Sequence, residues 1–184
     1  MELERRTVLK LIAAGVIAER LEGAHHHLVT IAQTPAAYKL QFFSPAQNDL
    51  LDRLSDLIIP TDDHSPGAHA AKVSYFIDLM VANSTKDVQE QWGAGLKAVE
   101  SEAQSRFQKP FLKCSPEQQD QIMAAMAAHE GQPANELERF FARLKLMTID
   151  GYYTSAIGIH QDLQYKGNTA LAEFPGCTHP EHQR

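Results

Sequence analysis

The chain has 184 residues, 43% of them hydrophobic and 22% charged, with a formal net charge of −6. That length suits one domain, and such a chain buries enough surface to fold without metal or disulfide staples. The acidic balance argues against a broadly electrostatic nucleic-acid binder, and the two cysteines exclude a disulfide-rich scaffold.

Arg5 and Arg6 stand directly before an apolar stretch from Val8 to Ala18. A basic pair followed by roughly 7–15 apolar residues is the physical plan of an export signal. The run Arg5-Arg6-Thr7-Val8-Leu9-Lys10 resembles the twin-arginine motif, with Val8 where that motif prefers Phe. Glu19, Arg20 and Glu22 interrupt the segment after the apolar stretch, and there is no clean Ala-x-Ala site. Two outcomes stay open, cleavage near Ala24 or retention as an anchor. An ordinary amphipathic helix with a basic start is the plainer alternative. No uninterrupted apolar run reaches the ~20 residues of a spanning helix. His25, His26 and His27 cannot all face one metal from a regular element, so a solvated stretch is the simpler reading. Residues 1–27 are therefore expected to form a signal or anchor, 28–165 a helical domain and 166–184 an extended tail.

The body predicts about five helices. Ser44-Pro45 is an N-cap with Pro at the first helical position. Leu50, Leu51, Leu54, Leu57 and Ile58 follow at helical spacing, and Pro60 ends the helix. Residues 61–67 form a polar loop with a Pro-Gly turn signal. A second helix is predicted over Ala68–Ala82, carrying Val73, Phe76, Ile77, Met80 and Val81 on one face. The third runs over Lys86–Phe107, where Gly93 and Gly95 weaken it locally or admit close approach by another backbone. Ser115-Pro116-Glu117-Gln118 starts a fourth, ending near Gly131. Asn135 caps the fifth, whose stripe is Leu137, Phe140, Phe141, Leu144, Met147, Thr148 and Gly151; it is extended towards Ile159 with Gly151 as a kink. No alternating strand pattern competes, so the fold class is all-α. The tail, rich in Pro and Gly around Phe174, has no helical period and cannot build its own core.

Familiar chemistry is missing. There is no GxGxxG, no GxxxxGK[ST], no HExxH and no CxxC. Asp62, Asp63, His64 and His69 offer oxygen and imidazole donors to a metal, although a surface loop with a helix-capping acid explains the same residues and is the simpler reading. His160 and Asp162 are two apart and diverge on a helix. An independent metal-dependent helical enzyme using His64, His69 and His160 is the alternative function. Tyr152 and Tyr153 carry hydroxyls on an apolar helix, which fits either a partner interface or rings filling the domain's own core. Cys114 and Cys177 allow three states: a disulfide pinning the tail, a bond from Cys177 to another chain, or free thiols.

Asp56-Leu57-Ile58-Ile59-Pro60-Thr61-Asp62, followed by Ser65-Pro66-Gly67-Ala68, resembles the gluconate 2-dehydrogenase subunit 3 family. So do Phe140-Phe141 through Lys145, Thr148-Ile149-Asp150-Gly151-Tyr152-Tyr153-Thr154-Ser155, Tyr165-Lys166-Gly167-Asn168 and Glu173-Phe174-Pro175-Gly176-Cys177. The resemblance implies a non-catalytic small subunit of a sugar, polyol or glycoside dehydrogenase. No catalytic, cofactor or metal residue is then expected in this chain. FAD would sit in a large partner of the glucose-methanol-choline type, and haem c in a cytochrome c third subunit. Arg5 and Arg6 would engage the twin-arginine translocase and place the complex in the periplasm or on the periplasmic face of the inner membrane. Tyr152, Tyr153, Phe174 and Cys177 are the candidate partner contacts.

Overall fold

Ser44 opens the first helix through its side chain. In a computed structural model of the chain, which describes residues 38–165 and 167, helix α1 spans Pro45–Ile58. The Ser44 hydroxyl accepts from the Gln47 backbone N–H while the Gln47 carboxamide oxygen accepts from the Ser44 N–H. Two helix-end donors that water would otherwise satisfy are thus closed reciprocally. Ser115 and Gln118 repeat the device at α5 (Pro116–Met126). The remaining elements are α2 (Gly67–Ala70), α3 (Val73–Ala82), α4 (Lys86–Phe107), a 3-10 turn at Phe111–Lys113, α6 (Glu136–Tyr153) and a π-helical turn at Gly158–Asp162. The described residues include no strand and no helix long and apolar enough to cross a membrane. The chain divides into two units, Met1–Lys39 and Leu40–Arg184. Of the first, only residues 38 and 39 are described, and neither is helical.

Helix α6 is the central element of the second unit and packs on α4, α3, α1 and α5. Leu50, Leu51 and Leu54 from α1, Val73, Ile77 and Val81 from α3, and Trp92, Leu96 and Val99 from α4 are buried. They meet Phe140, Leu144 and Tyr152 of α6. The Trp92 and Phe140 rings meet edge to face, with centroids 5.5 Å apart. Gly95 makes this contact fit, because a Cβ there would lie 2.0 Å from the Phe140 ring. A neighbouring side chain, rather than another backbone, occupies the space. A Cβ on Gly93, two residues earlier, would meet nothing within 4 Å.

Three boundaries differ from the sequence expectation, two through contacts with other segments and one through local side-chain bonds. The predicted second helix is two helices, because Lys72 adopts a left-handed conformation (φ 59°). Asp52 on α1 holds both sides of the break, accepting from Ser74 Oγ (3.1 Å) and pairing with His69 Nδ1 (2.5 Å). The fourth helix stops at Met126, five residues before Gly131. Beyond it, His129 turns to meet Glu138 at the start of α6 (3.0 Å). The fifth helix ends at Tyr153 and runs unbroken through Gly151, whose missing Cβ makes room for the Phe76 ring (2.7 Å). Thr154 and Ser155 instead donate their hydroxyls to the carbonyls of Asp150 and Tyr152, each at 2.6 Å. Short polar side chains compete with the helical ladder in this way and end it.

Asp78 organises the entry to the domain. Buried on α3, it accepts from the backbone N–H groups of Gln41 (2.7 Å), Phe42 (3.1 Å) and Phe43 (2.8 Å). One carboxylate thereby satisfies three donors and seats Phe43 in the core.

Candidate functional site

The loop after α1 folds around its own acid. Asp62 Oδ1 accepts from the backbone N–H groups of His64 and Ser65, both at 2.8 Å. These two bonds hold its carboxyl below the ordinary aspartate value. The Asp62 N–H in turn donates to the Ser65 carbonyl (2.9 Å), and Thr61 Oγ1 donates to the Pro66 carbonyl (2.8 Å). Gly67 has φ +74°, and a Cβ on it would strike the Thr61 nitrogen at 2.6 Å. Only glycine fits where the loop doubles back on Pro60 and Thr61. One oxygen of the Asp62 carboxylate is therefore engaged in closing the loop, and the helix that follows starts after Pro66 with no side-chain cap, so Asp62 is not the helix-capping acid.

The C-terminal end of α6 faces the same corner. Tyr152 is fully buried and its hydroxyl has no hydrogen-bond partner. Its ring fills the core and offers no surface to another molecule. Tyr153 is 39% exposed and lies near Asp162 of the π-helical turn. Both phenols titrate above the ordinary tyrosine value, first through desolvation and then through the Asp162 charge, with Asp62 contributing less. They stay protonated donors across the neutral range, the wrong state for a general base or nucleophile. Gly158 packs under this end, its missing Cβ leaving room for the Tyr152 carbonyl.

The three histidines of the metal alternative have separate settings. His69 pairs with Asp52, His64 lies exposed in the loop, and His160 lies exposed in the π-helical turn. Among the described residues, no three His, Cys, Asp or Glu side chains are grouped so as to hold a metal ion. A groove of 630 Å³ between α4, α5 and α6 is lined by Ser101, Glu102, Arg106, Asn135 and Glu138. Its charges are taken up internally. Arg106 pairs with Glu102 (2.5 Å), and Glu138 binds His129, the Ala134 N–H (2.6 Å) and Asn135 (2.9 Å). Those bonds, His129 foremost, hold the Glu138 carboxyl below its ordinary value.

Cys114 is a free, buried thiol 3.6 Å from the Pro110 carbonyl. Cys177, Phe174, Arg5, Arg6 and the histidine triplet lie outside the described residues. The structural roles of Asp78 and Glu138 went unmarked in the sequence. Each is a single acid inside a helical pattern, and its partners come from other segments.

Against known proteins, the family model described as gluconate 2-dehydrogenase subunit 3 matches residues 45–176. No curated protein and no solved structure matches the chain. The matched span begins at the first residue of α1, contains the whole Asp62 loop and all of α6, and covers most of the chain. The chain belongs to the gluconate 2-dehydrogenase subunit 3 family and is a small accessory subunit of a dehydrogenase.

Proposed function

We propose that the chain is the non-catalytic subunit of an exported FAD-dependent dehydrogenase of the glucose-methanol-choline type. It binds the flavoprotein and supplies the export signal for both. The observation that carries this reading is the match over residues 45–176 behind an Arg5-Arg6 pair and an apolar stretch. The chemistry is consistent. A flavoprotein acquires FAD where FAD is made, so it must cross the membrane already folded. The twin-arginine route carries folded cargo, and a tightly bound partner can provide the address. Oxidation of a sugar, polyol or glycoside then takes place on the large subunit, and electrons leave through haem c on a cytochrome subunit. The complex resides in the periplasm or on the periplasmic face of the inner membrane.

The test is export of the partner. With Arg5→Lys/Arg6→Lys, both subunits should accumulate in the cytoplasm while still forming a complex. Unchanged export of the flavoprotein in that double variant would remove the address role.

A further inference from the structure

The segment that follows α6 is held far more lightly than the helix itself. Of residues 154–165, only Gly158 is buried, while Ile157 packs against the edge of the core and Leu163 is 59% exposed. Among the described residues, the backbone hydrogen bonds of this segment stay within it or reach only the last turn of α6. The Leu163 N–H closes the π-helical turn on the Gly158 carbonyl (2.9 Å), and the Tyr165 N–H returns to the Ile159 carbonyl (2.9 Å). Ser155 joins segment to helix, its hydroxyl donating to the Tyr152 carbonyl (2.6 Å) and accepting from the Gly158 N–H (3.0 Å). Few buried contacts and exposed backbone bonds are what let a segment open at lower cost than the core beneath it.

Three features weaken the closed arrangement. Gln164 adopts a left-handed conformation (φ 51°), which is unfavourable for a residue with a Cβ. The turn before it is π-helical, a geometry found mostly as single turns and frequently at functional sites. The third feature is Tyr152, fully buried, whose hydroxyl has no hydrogen-bond partner among the described residues. An unpaired buried hydroxyl disfavours the state that buries it. Burial raises the phenol first, and Asp162 of this segment is the next influence on it, so the segment lies beside that ring. The approach is also tight at the backbone, where a Cβ on Gly158 would lie 2.1 Å from the Tyr152 carbonyl oxygen.

We infer that residues 154–165 form a strap that opens off the end of α6 as one unit while α6 stays folded, and that opening gives the Tyr152 hydroxyl the hydrogen-bond partner it lacks in the closed form. The hinge is the pair Thr154 and Ser155, whose hydroxyls end the helix. Closed, the strap leaves only Tyr153 of the two tyrosines at the surface. Open, it presents the Tyr152 phenol as a donor. A molecule that uses this phenol must meet the open form.

Amide exchange of the full chain, read residue by residue, tests the strap. The Ile159, Leu163 and Tyr165 amides should share one protection factor, about 100-fold or more below those of Phe140, Leu144 and Thr148 on the buried face of α6. Tyr152→Phe removes the group that gains from opening, so the three strap amides should become about tenfold better protected. Gly158→Ala sets a methyl against the Tyr152 carbonyl and should lower the same three protections by about tenfold or more. The two variants act in opposite directions, and Gly158→Ala carries the test if Tyr152→Phe does not fold. Three unequal protections in the parent, or protections equal to those of α6, would overturn the inference. So would strap amides that exchange in folded Tyr152→Phe as they do in the parent, because the hydroxyl would then fare alike in both forms. Unchanged strap protection in Gly158→Ala would overturn it as well.

Discussion

Helix α6 carries two apolar faces, and among the described residues only one is packed. On the inner face every large group has a neighbour. Phe140 lies over Gly95 and against Trp92, Gly151 under Phe76, and Thr148 Oγ1 3.5 Å from Ser55 Oγ. On the outer face Leu146 and Ile149 have solvent, and the adjacent ion pairs are closed among themselves. Apolar content alone therefore does not say what a helix face is for. The inner face specifies the fold, and the outer one stays partly exposed among the described residues.

Alanine substitutions should separate the two faces sharply. Phe140→Ala should cost about 3–5 kcal/mol in urea unfolding, the range for a buried aromatic. Leu146→Ala should leave stability within about 0.5 kcal/mol of the parent, as for an exposed site. A large loss at Leu146 would mean the outer face is packed after all.

The two glycines of α4 offer a finer contrast. Gly95→Ala must displace the Phe140 ring and should destabilise by about 1–3 kcal/mol. Gly93→Ala meets nothing and should gain about 0.5–1 kcal/mol from helix propensity. Thermal melts of the pair should move in opposite directions.

The N-terminus of α6 adds a dependence on pH. The bonds that lower the Glu138 carboxyl in the folded state, led by His129, make its contribution complete above the unfolded value of about 4.3. That contribution is lost as pH falls through the lowered folded value. Glu138→Gln should therefore be less stable than the parent at neutral pH, and the gap should narrow on acidification. A gap that widens below about pH 4.3 would contradict the sign.

Much of the fold was legible because its signals are local. Ser44 and Ser115 cap their helices with the Gln three residues on, and α4 runs from Lys86 to Phe107 as its pattern predicts. What was not legible depends on distant partners. Nothing around Lys72 announces a break, since the break follows from Asp52 gripping both His69 and Ser74. Asp78 reads as a polar interruption of an apolar helix until three N–H groups from residues 41–43 reach it. The Asp62 loop was half legible. Its residues suggested either a metal or a helix cap, and the carboxylate does neither among the described residues: it closes the loop on the His64 and Ser65 N–H groups, and the helix that follows has no side-chain cap. The outer stripe of α6 was hidden for another reason. Helical periodicity draws attention to the richest face, and the second face is visible only once burial is known.

The most direct measurement is where the flavin and the turnover reside. The isolated chain and the co-expressed complex should both be assayed for flavin absorbance and substrate oxidation. An accessory subunit predicts both signals in the complex, following the large subunit when the two are separated, and neither in this chain alone. Bound flavin or reproducible oxidation in the isolated chain would contradict it.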